Sequence, residues 1–169
     1  HIKPRTKGGK DELSNYQALC YTCNSQKSNK DETNFRKVLG SYDYRKKKCI
    51  FCNIQKSETI SSNELAVVIK DNYPVTKHHC LIIPKRHCVD YFDLYQPEIN
   101  AITQLINQTK KELGKKDKSI KGFNIGNNSG EVAGQTIFHC HIHLIPRRKG
   151  DVENPRGGIR RVIPSKQKY

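Results

Sequence analysis

The sequence contains no long hydrophobic segment and no pattern of a secretory leader. Hydrophobic residues make up 34% of the 169 residues, and the longest apolar stretches, at 65–69 and 81–84, are only strand-sized. A helix that crosses a bilayer needs about 20 apolar residues, so a membrane-spanning protein is excluded. The first ten residues are basic and lack an apolar core. We therefore expect a cytoplasmic protein without a membrane partner, and the start at His1 suggests a piece of a longer or processed product.

Acidic residues are scarce as well. Sixteen Asp and Glu stand against 31 Lys and Arg, which gives a formal net charge of +15 at pH 7. The basic residues are spread along the chain rather than gathered in one tail. A charge of this size favours an anionic partner, from nucleotides to nucleic acid. A solvated basic surface is the alternative that composition leaves open.

The cysteines do not indicate a disulfide framework, because their number is seven and the expected compartment is reducing. Cys20 and Cys23 form one C-x-x-C pair, and Cys49 and Cys52 form another. Each pair can place two thiolates on one metal ion. The four residues could share one zinc site or belong to two separate sites, and their spacing leaves both readings open.

Composition divides the chain near residue 37. Residues 1–36 lack hydrophobic periodicity and are rich in turn-forming residues. In residues 37–169 the patterning predicts a helix that begins near Pro97 and ends at Gly114. It also predicts strands at 64–70, 79–84, 121–127 and 136–146. Several strands around one substantial helix indicate an α+β fold.

Three histidines alternate within the last of these predicted strands. His139, His141 and His143 would project from one face, because successive side chains of a strand point to opposite sides. They could form a catalytic zinc site with three imidazole ligands. Alternatively, one neutral imidazole could act as a nucleophile toward phosphorus. The donors of 128–130 and 134–136, just upstream, favour the second reading, because a phosphate needs them and a metal does not.

These residues resemble the histidine triad (HIT) family. The segment GQTIFHCHIHLIP at 134–146 matches its signature, and CIFC at 49–52, the segment 64–87 and Asn128 follow in family order. The resemblance covers roughly residues 48–150. It implies an antiparallel five-stranded sheet with one long helix, a homodimer and a nucleotide substrate.

The resemblance also implies the roles of individual residues. His141 would attack the α-phosphorus of a nucleotide and form a nucleotidyl-histidine intermediate, which water then hydrolyses. Gln135 would stabilise that intermediate, and His143 would contact the phosphate or the leaving group. The implied nucleotide-binding residues are Asp71 at the ribose, Asn128 and Thr136 at the phosphate, and His79, which here follows a second histidine, His78. A magnesium ion could accompany the nucleotide.

Zinc-bearing members of the family imply a metal site in this chain. Its ligands would be Cys49, Cys52, His87 and His139. Two thiolates and two imidazoles make a closed tetrahedral site, and such sites are structural. The alternative is that these cysteines are simply reduced and buried.

Residues 1–36 resemble the second half of an HNH endonuclease domain. The matching positions are His1, Pro4, Gly8, Gly9, Asn15, Cys20, Cys23, Asn24 and Lys27. His1 would be the general base and Asn15 would position it. The upstream half, with a second C-x-x-C and an acidic metal ligand, does not precede His1 in this sequence. We therefore expect a truncated zinc-ribbon-like remnant without nuclease activity.

The segment after the triad, 146–169, resembles the branch of the family that hydrolyses dinucleoside polyphosphates. We therefore predict a nucleotidyl hydrolase that cleaves compounds such as diadenosine tetraphosphate at the α-phosphate. A nucleoside phosphoramidase or adenylyl hydrolase is the alternative within the family. A nucleic-acid-binding or HNH nuclease module that uses the basic surface is the alternative from another class.

Overall fold

An antiparallel sheet of five strands, packed against a 21-residue helix, forms the centre of the structure. The computed structural model describes residues 1–17, 19, 24, 25, 27–29, 32, 34 and 42–167. The strand order is β1-β2-β3-β5-β4, and every neighbouring pair is antiparallel. This architecture confirms the predicted α+β fold. The elements are β1 (Thr59–Ser62), β2 (Ala66–Lys70), β3 (Cys80–Pro84), α1 (Gln96–Lys116), β4 (Ile120–Gly126) and β5 (Ile142–Arg148).

The two faces of the sheet have different apolar clusters. Helix α1 covers one face, where Ile102 and Leu105 pack against alternate strand residues such as Val68 and Leu144. On the opposite face, a smaller cluster consists of Phe51, Val67, Leu81 and Ile83. His143 lies opposite Leu81 in the β3–β5 pair, so its side chain belongs to this second face. The candidate site is therefore on the side of the sheet that faces away from the helix.

The predicted strand at 136–146 is wrong in its first half. Strand β5 begins only at Ile142. Before it, backbone N–H groups donate to loop carbonyls rather than to a strand, as from His139 to Ile137 (2.8 Å) and from Cys140 to Cys88 (2.7 Å). Cys140, Ile142 and Leu144 nevertheless pack in the helix-side core, as the alternation predicted. The short polar strand β1 was not predicted.

Helix α1 extends beyond its predicted end. Gly114 lies inside the helix, which continues to Lys116 before Asp117 caps it in an extended conformation. A glycine inside a helix costs only about 1 kcal/mol relative to alanine. The last turn carries Lys115 and Lys116, whose charges favour the negative end of the helix dipole. A single glycine was therefore too weak a signal to place the end of this helix.

The N-terminal segment is organised around a buried asparagine. The Asn15 side chain accepts from the Lys3 N–H (2.7 Å) and donates to the carbonyls of Lys3 (3.0 Å) and Lys10 (2.9 Å). The Lys27 ammonium donates to the Ile2 carbonyl at 2.9 Å. The predicted boundary near residue 37, together with Cys20 and Cys23, lies outside the described residues. None of the helices within the described ranges is long and apolar enough to cross a membrane.

Candidate active site

Aromatic and imidazole rings form a continuous row across the face of the sheet opposite α1. The ring of His87 lies 5.0 Å from that of His139, and Phe51 follows at 6.0 Å. Beyond Phe51 come His141 at 5.2 Å and His143 a further 5.2 Å away. His79 ends the row, 5.1 Å from His143. The three triad histidines therefore share one face, although only His143 belongs to a regular strand.

The four zinc ligands that the family resemblance implies, Cys49, Cys52, His87 and His139, lie together at one end of this row. One ligand atom from each lies within 4.8 Å of the other three. The distances from sulfur to Nδ1 are 3.3 Å for Cys49–His139, 3.4 Å for Cys52–His87 and 3.6 Å for Cys52–His139. Tetrahedral zinc with ordinary bond lengths separates sulfur and nitrogen ligands by about 3.5 Å. The cluster therefore fits Zn²⁺.

The orientation of His139 supports the same conclusion. Its Nε2 lies 2.8 Å from the Pro84 carbonyl, which can only accept, so Nε2 carries the proton. The lone pair is then on Nδ1, which faces the two thiols. Burial lowers the pKa of His139 to about 4, so the ring is neutral near pH 7. A neutral histidine whose second nitrogen donates to a carbonyl is the usual form of a metal ligand.

His141 has a tautomer that suits a nucleophile. Its Nδ1 lies 2.8 Å from the His139 carbonyl, so Nδ1 carries the proton and Nε2 keeps its lone pair. The ring is 8% exposed and stands between those of Phe51 and His143. The backbone of the preceding loop therefore selects the nitrogen that can attack a substrate.

His79, His143 and Asp71 form a second cluster at the other end of the row. The Val75 N–H donates to His79 Nδ1 at 3.3 Å, which leaves the proton of a neutral ring on Nε2. That nitrogen lies 3.0 Å from His143 Nδ1, so His143 accepts there and carries its own proton on Nε2. Asp71 Oδ2 lies 3.4 Å from His79 Nε2 and 3.7 Å from His143 Nδ1.

The same cluster decides which residue of the His78–His79 pair faces the site. His79 is buried in it, whereas His78 adopts a positive φ of 72° and turns toward Asp117. Burial lowers the pKa of His79 below its usual value, and the neighbouring Asp71 carboxylate opposes that effect. Burial is the main cause that lowers the pKa of His143 to about 4, and the neighbouring imidazoles of His141 and His79 further disfavour a positive charge on it. Both rings are therefore neutral near pH 7.

Three predicted phosphate-side residues lie in or next to the loop that precedes the triad. Asn128 and Thr136 are exposed, and the Asn128 amide donates to the Gly134 carbonyl at 3.3 Å. Gln135 is instead buried. Its amide donates to the carbonyls of Val89 (2.7 Å) and Ile137 (3.2 Å), and its oxygen accepts from the Gly130 N–H (2.8 Å). Gln135 thus fixes the loop, and its contact with an intermediate stays a prediction.

The metal-ligating clusters of the described residues do not suit the predicted magnesium ion. Magnesium prefers oxygen ligands, but both groups of metal-ligating side chains found among the described residues are rich in nitrogen or sulfur. The described residues therefore give no support to a bound Mg²⁺ in the free protein.

Sequence reasoning missed two contributors to the site. Phe51, between the cysteines of CIFC, contacts both His139 and His141 through its ring. Arg86, just before His87, makes a buried bidentate ion pair with Glu98 of α1 at 2.8 and 2.7 Å. The aromatic residue within C-x-x-C was a usable signal for Phe51. No sequence pattern marks a pair twelve residues apart.

Two family models match different regions of the chain. A family model described as HIT domain matches residues 53–150, more than half of the sequence. A second, described as HNH endonuclease, matches residues 1–30. A relative from Mycoplasma genitalium, the uncharacterized HIT-like protein MG132, is 39% identical over 103 residues and covers 59% of this chain and 72% of its own.

Two further relatives carry names that state an activity. The adenylylsulfatase HINT3 of Arabidopsis thaliana is 33% identical over 61% of this chain and 54% of its own. The adenosine 5'-monophosphoramidase hnt1 of Schizosaccharomyces pombe is 30% identical over 59% of this chain and 74% of its own.

Solved structures share the fold. A Zn-bound histidine triad family protein from Mycobacterium smegmatis has a TM-score of 0.58 and 32% identity over 63% of this chain and 80% of its own. A HIT family protein from Bacillus anthracis has a TM-score of 0.58 and 35% identity over 63% of this chain and 78% of its own.

Proposed function

As a member of the HIT domain family, the chain is a nucleotide hydrolase, and we propose that it cleaves dinucleoside polyphosphates at the α-phosphate through a nucleotidyl-histidine intermediate. The observation that carries the covalent step of this proposal is the tautomer of His141. Its protonated Nδ1 is held by the His139 carbonyl, so Nε2 presents a lone pair to phosphorus. Dividing one displacement into two steps through a covalent intermediate lowers each barrier.

We propose that His143 donates a hydrogen bond to the leaving group. The hydrogen bonds from Val75 to His79 and from His79 to His143 place a proton on His143 Nε2. The next ring in the row is His141, at 5.2 Å, so the donor stands beside the nucleophile. The Nε2–H group of His143 would donate a hydrogen bond to the departing phosphate oxygen and stabilise the negative charge that this oxygen takes up as its bond to phosphorus breaks. Water then attacks the intermediate and releases the mononucleotide and His141.

The surface next to His141 can accommodate the nucleotide that becomes covalently attached to this residue. A groove of about 320 Å³ is lined by Phe51, Ile54 and Val67 and by the cations Arg45, Lys56 and Lys85. An aromatic and aliphatic floor suits a nucleobase, and the cations suit its phosphate. We propose Asp71 as the ribose ligand and Asn128 and Thr136 as phosphate contacts. Gln135 positions these contacts through its bonds to Val89, Ile137 and Gly130.

We propose that the cluster of Cys49, Cys52, His87 and His139 holds a structural zinc ion. Four protein ligands would leave no open position, so the ion would supply a crosslink rather than an activated water. The crosslink joins the turn at 49–52 to the end of β3 and to the triad loop. It would thereby fix the carbonyl of His139, which orients the nucleophile.

A homodimer is part of the proposal. Strand β4 is at the edge of the sheet and, in the described chain, pairs only with β5. It is seven residues long, and Ile125 on it is 49% exposed. A long edge strand with exposed apolar side chains is a template for pairing with another chain. Sedimentation equilibrium at micromolar concentration should give twice the mass of one chain.

A phosphoramidase or adenylyl hydrolase is the alternative within the family. The names of two relatives favour it, since one is an adenosine 5'-monophosphoramidase and the other an adenylylsulfatase. Ranking kcat/KM for diadenosine tetraphosphate, adenosine 5'-phosphoramidate and adenosine 5'-phosphosulfate would decide between them. The proposal requires the dinucleoside polyphosphate to rank first.

The intermediate itself can be tested with His141→Ala. The variant should lose about 10⁴-fold or more of kcat, while nucleotide affinity changes little because the proposed ribose and phosphate contacts remain. Acid-quenched wild-type protein should carry the mass of one nucleoside monophosphate, and the variant should not. His78→Asn is the matched control, because His78 faces Asp117 and asparagine tolerates its positive φ. Substantial turnover by His141→Ala would exclude His141 as the nucleophile.

A further inference from the structure

We propose that the segment 149–167 forms, with β4 and β5, a pocket for the part of the substrate that leaves: a nucleoside with its terminal phosphates. This inference rests on the proposed cleavage at the α-phosphate and names the residues that would select the leaving group. A cavity of about 510 Å³ lies between the segment and the sheet. Its volume falls within the range of ordinary small-molecule sites.

The cavity continues the row of histidines. Along β5, His143, Ile145 and Arg147 project to the same side, because side chains alternate in a strand, and the last two line the cavity. Asn124 of β4, opposite Ile145, lines it as well. Two residues along a strand span about 7 Å, so the cavity begins roughly that far beyond His143. The nucleophile His141, the hydrogen-bond donor His143 and the cavity therefore follow one another in one direction, which is the direction of a departing group.

The segment is anchored to the sheet by the ion pair between Arg147 and Asp151, whose side chains are 23% and 18% exposed. Arg147 donates to both carboxylate oxygens of Asp151 at 2.8 Å, and its third contact is Asn124 Oδ1 at 2.6 Å. The Arg148 N–H also donates to Asp151 at 2.8 Å. These bonds fix the turn that directs the chain back over the face of the sheet. The pocket wall is therefore built before any ligand arrives.

The C-terminal end of the segment, at Gln167, contacts the middle of the same segment, at Arg156 and Gly157. The Gln167 side chain donates to the Arg156 carbonyl at 3.3 Å. Gly157 has a φ of +66°, and a Cβ at that position would overlap the carbonyl oxygen of Gln167. Only glycine meets both conditions. The chain therefore holds a defined loop over the cavity.

The lining suits a nucleoside that carries phosphates. Ile145, Pro155 and Ile159 supply apolar surface, and Ile159 is 63% exposed without a ligand. Arg147 is committed to Asp151, whereas no hydrogen bond or ion pair of the Arg161 guanidinium is found within the described residues. Arg161 is therefore the cation available to a phosphate, which guanidinium groups bind in a bidentate manner. Ammonia or sulfate, as leaving groups, would leave this cavity unfilled.

The test compares two substrates that share the attached adenylyl group and differ in the leaving group. For diadenosine tetraphosphate and adenosine 5'-phosphoramidate, we would measure kcat/KM with Arg161→Ala and Ile159→Ser. The ratio of kcat/KM for the tetraphosphate to that for the phosphoramidate should fall about tenfold or more in Arg161→Ala, the loss expected for a charged hydrogen bond. It should also fall in Ile159→Ser. Arg156→Ala removes the same charge from the same segment outside the lining, and its ratio should match the wild type.

Any result other than this selective loss in Arg161→Ala and Ile159→Ser would contradict the inference. An unchanged ratio in Arg161→Ala, an equal fall in Arg156→Ala, or a uniform loss with both substrates would show that the pocket does not receive the leaving group. A wild-type protein that hydrolyses the phosphoramidate but not the tetraphosphate would instead refute the proposed substrate class, and the inference with it. The wild-type measurement therefore separates failure of the function from failure of the pocket.

Discussion

The ion pair between Arg86 and Glu98 gives the sharpest prediction about stability. Glu98 is fully buried, and its carboxylate accepts from Arg86 Nε (2.8 Å), Arg86 Nη2 (2.7 Å) and the Tyr95 N–H (2.8 Å). Arg86 is 8% exposed, and its guanidinium also lies 4.1 Å from the centre of the Tyr95 ring. The pair ties the chain just before His87 to the first turn of α1. The ion pair therefore helps to position His87 in the Cys/His cluster (Cys49, Cys52, His87 and His139), although neither of its residues belongs to that cluster.

The variant Glu98→Ala should be strongly destabilised. It leaves a buried guanidinium without its counter-charge, and breaking one side of such a pair costs about 3–5 kcal/mol. For a chain of this length, each kcal/mol lowers Tm by roughly 2–4 °C, so the expected fall is roughly 6–20 °C. The double variant Arg86→Met, Glu98→Leu should recover most of that loss, because no unpaired charge remains.

Thermal and urea unfolding followed by circular dichroism would measure both variants. A loss below about 1 kcal/mol in Glu98→Ala, which is typical of exposed ion pairs, would refute the reasoning. So would a double variant that is less stable than the single one.

Three further predictions concern the metal, a histidine and the N-terminal segment. Purified protein should contain one zinc ion per chain by elemental analysis. The variant Cys52→Ser should lose the zinc ion and some of its stability, whereas Cys80→Ser, which changes a buried thiol outside the cluster, should keep the ion. His143 should titrate near pH 4 by NMR. Because its folded pKa lies below the unfolded value, its contribution to stability is lost as pH falls from about 6.5 to 4. Titration near 6.5 would contradict the burial argument. Plasmid incubated with the protein and magnesium should stay supercoiled, since no metal-ligating cluster is found in the described residues of 1–34. Nicking that disappears in His1→Ala would show that the N-terminal segment has nuclease activity.

Local patterns predicted the parts of the fold that depend on local physics. The apolar runs of β2 and β3 and the 3.6-residue spacing of α1 are signals of burial on one side, and these elements formed where expected. Strand β1, with the sequence TISS, carries only one large apolar residue, so alternation could not reveal it. It forms because the edge of β2 offers backbone partners.

The candidate site was predictable in composition but not in its hydrogen bonds. The sequence and the family resemblance indicated the cysteines and histidines that come together in the two clusters. They could not choose between His78 and His79, because that choice depends on a positive φ at His78 and on contacts with His143, which is 64 residues further along. They also could not show that Gln135 is buried, since its partner Val89 is 46 residues away.

The chemistry of the row of histidines depends more on the backbone than on neighbouring side chains. A carbonyl fixes the proton of His139 on Nε2 and another fixes that of His141 on Nδ1, while a backbone N–H fixes the lone pair of His79. Backbone groups cannot change their protonation near neutral pH, so the tautomers of His139 and His141 do not depend on a second titrating residue, whereas that of His143 depends on His79. What can disturb it is movement of the loop at 135–141, and that loop is held by Gln135 on one side and by the Cys/His cluster on the other. Loss of either support should therefore affect catalysis through the orientation of His141.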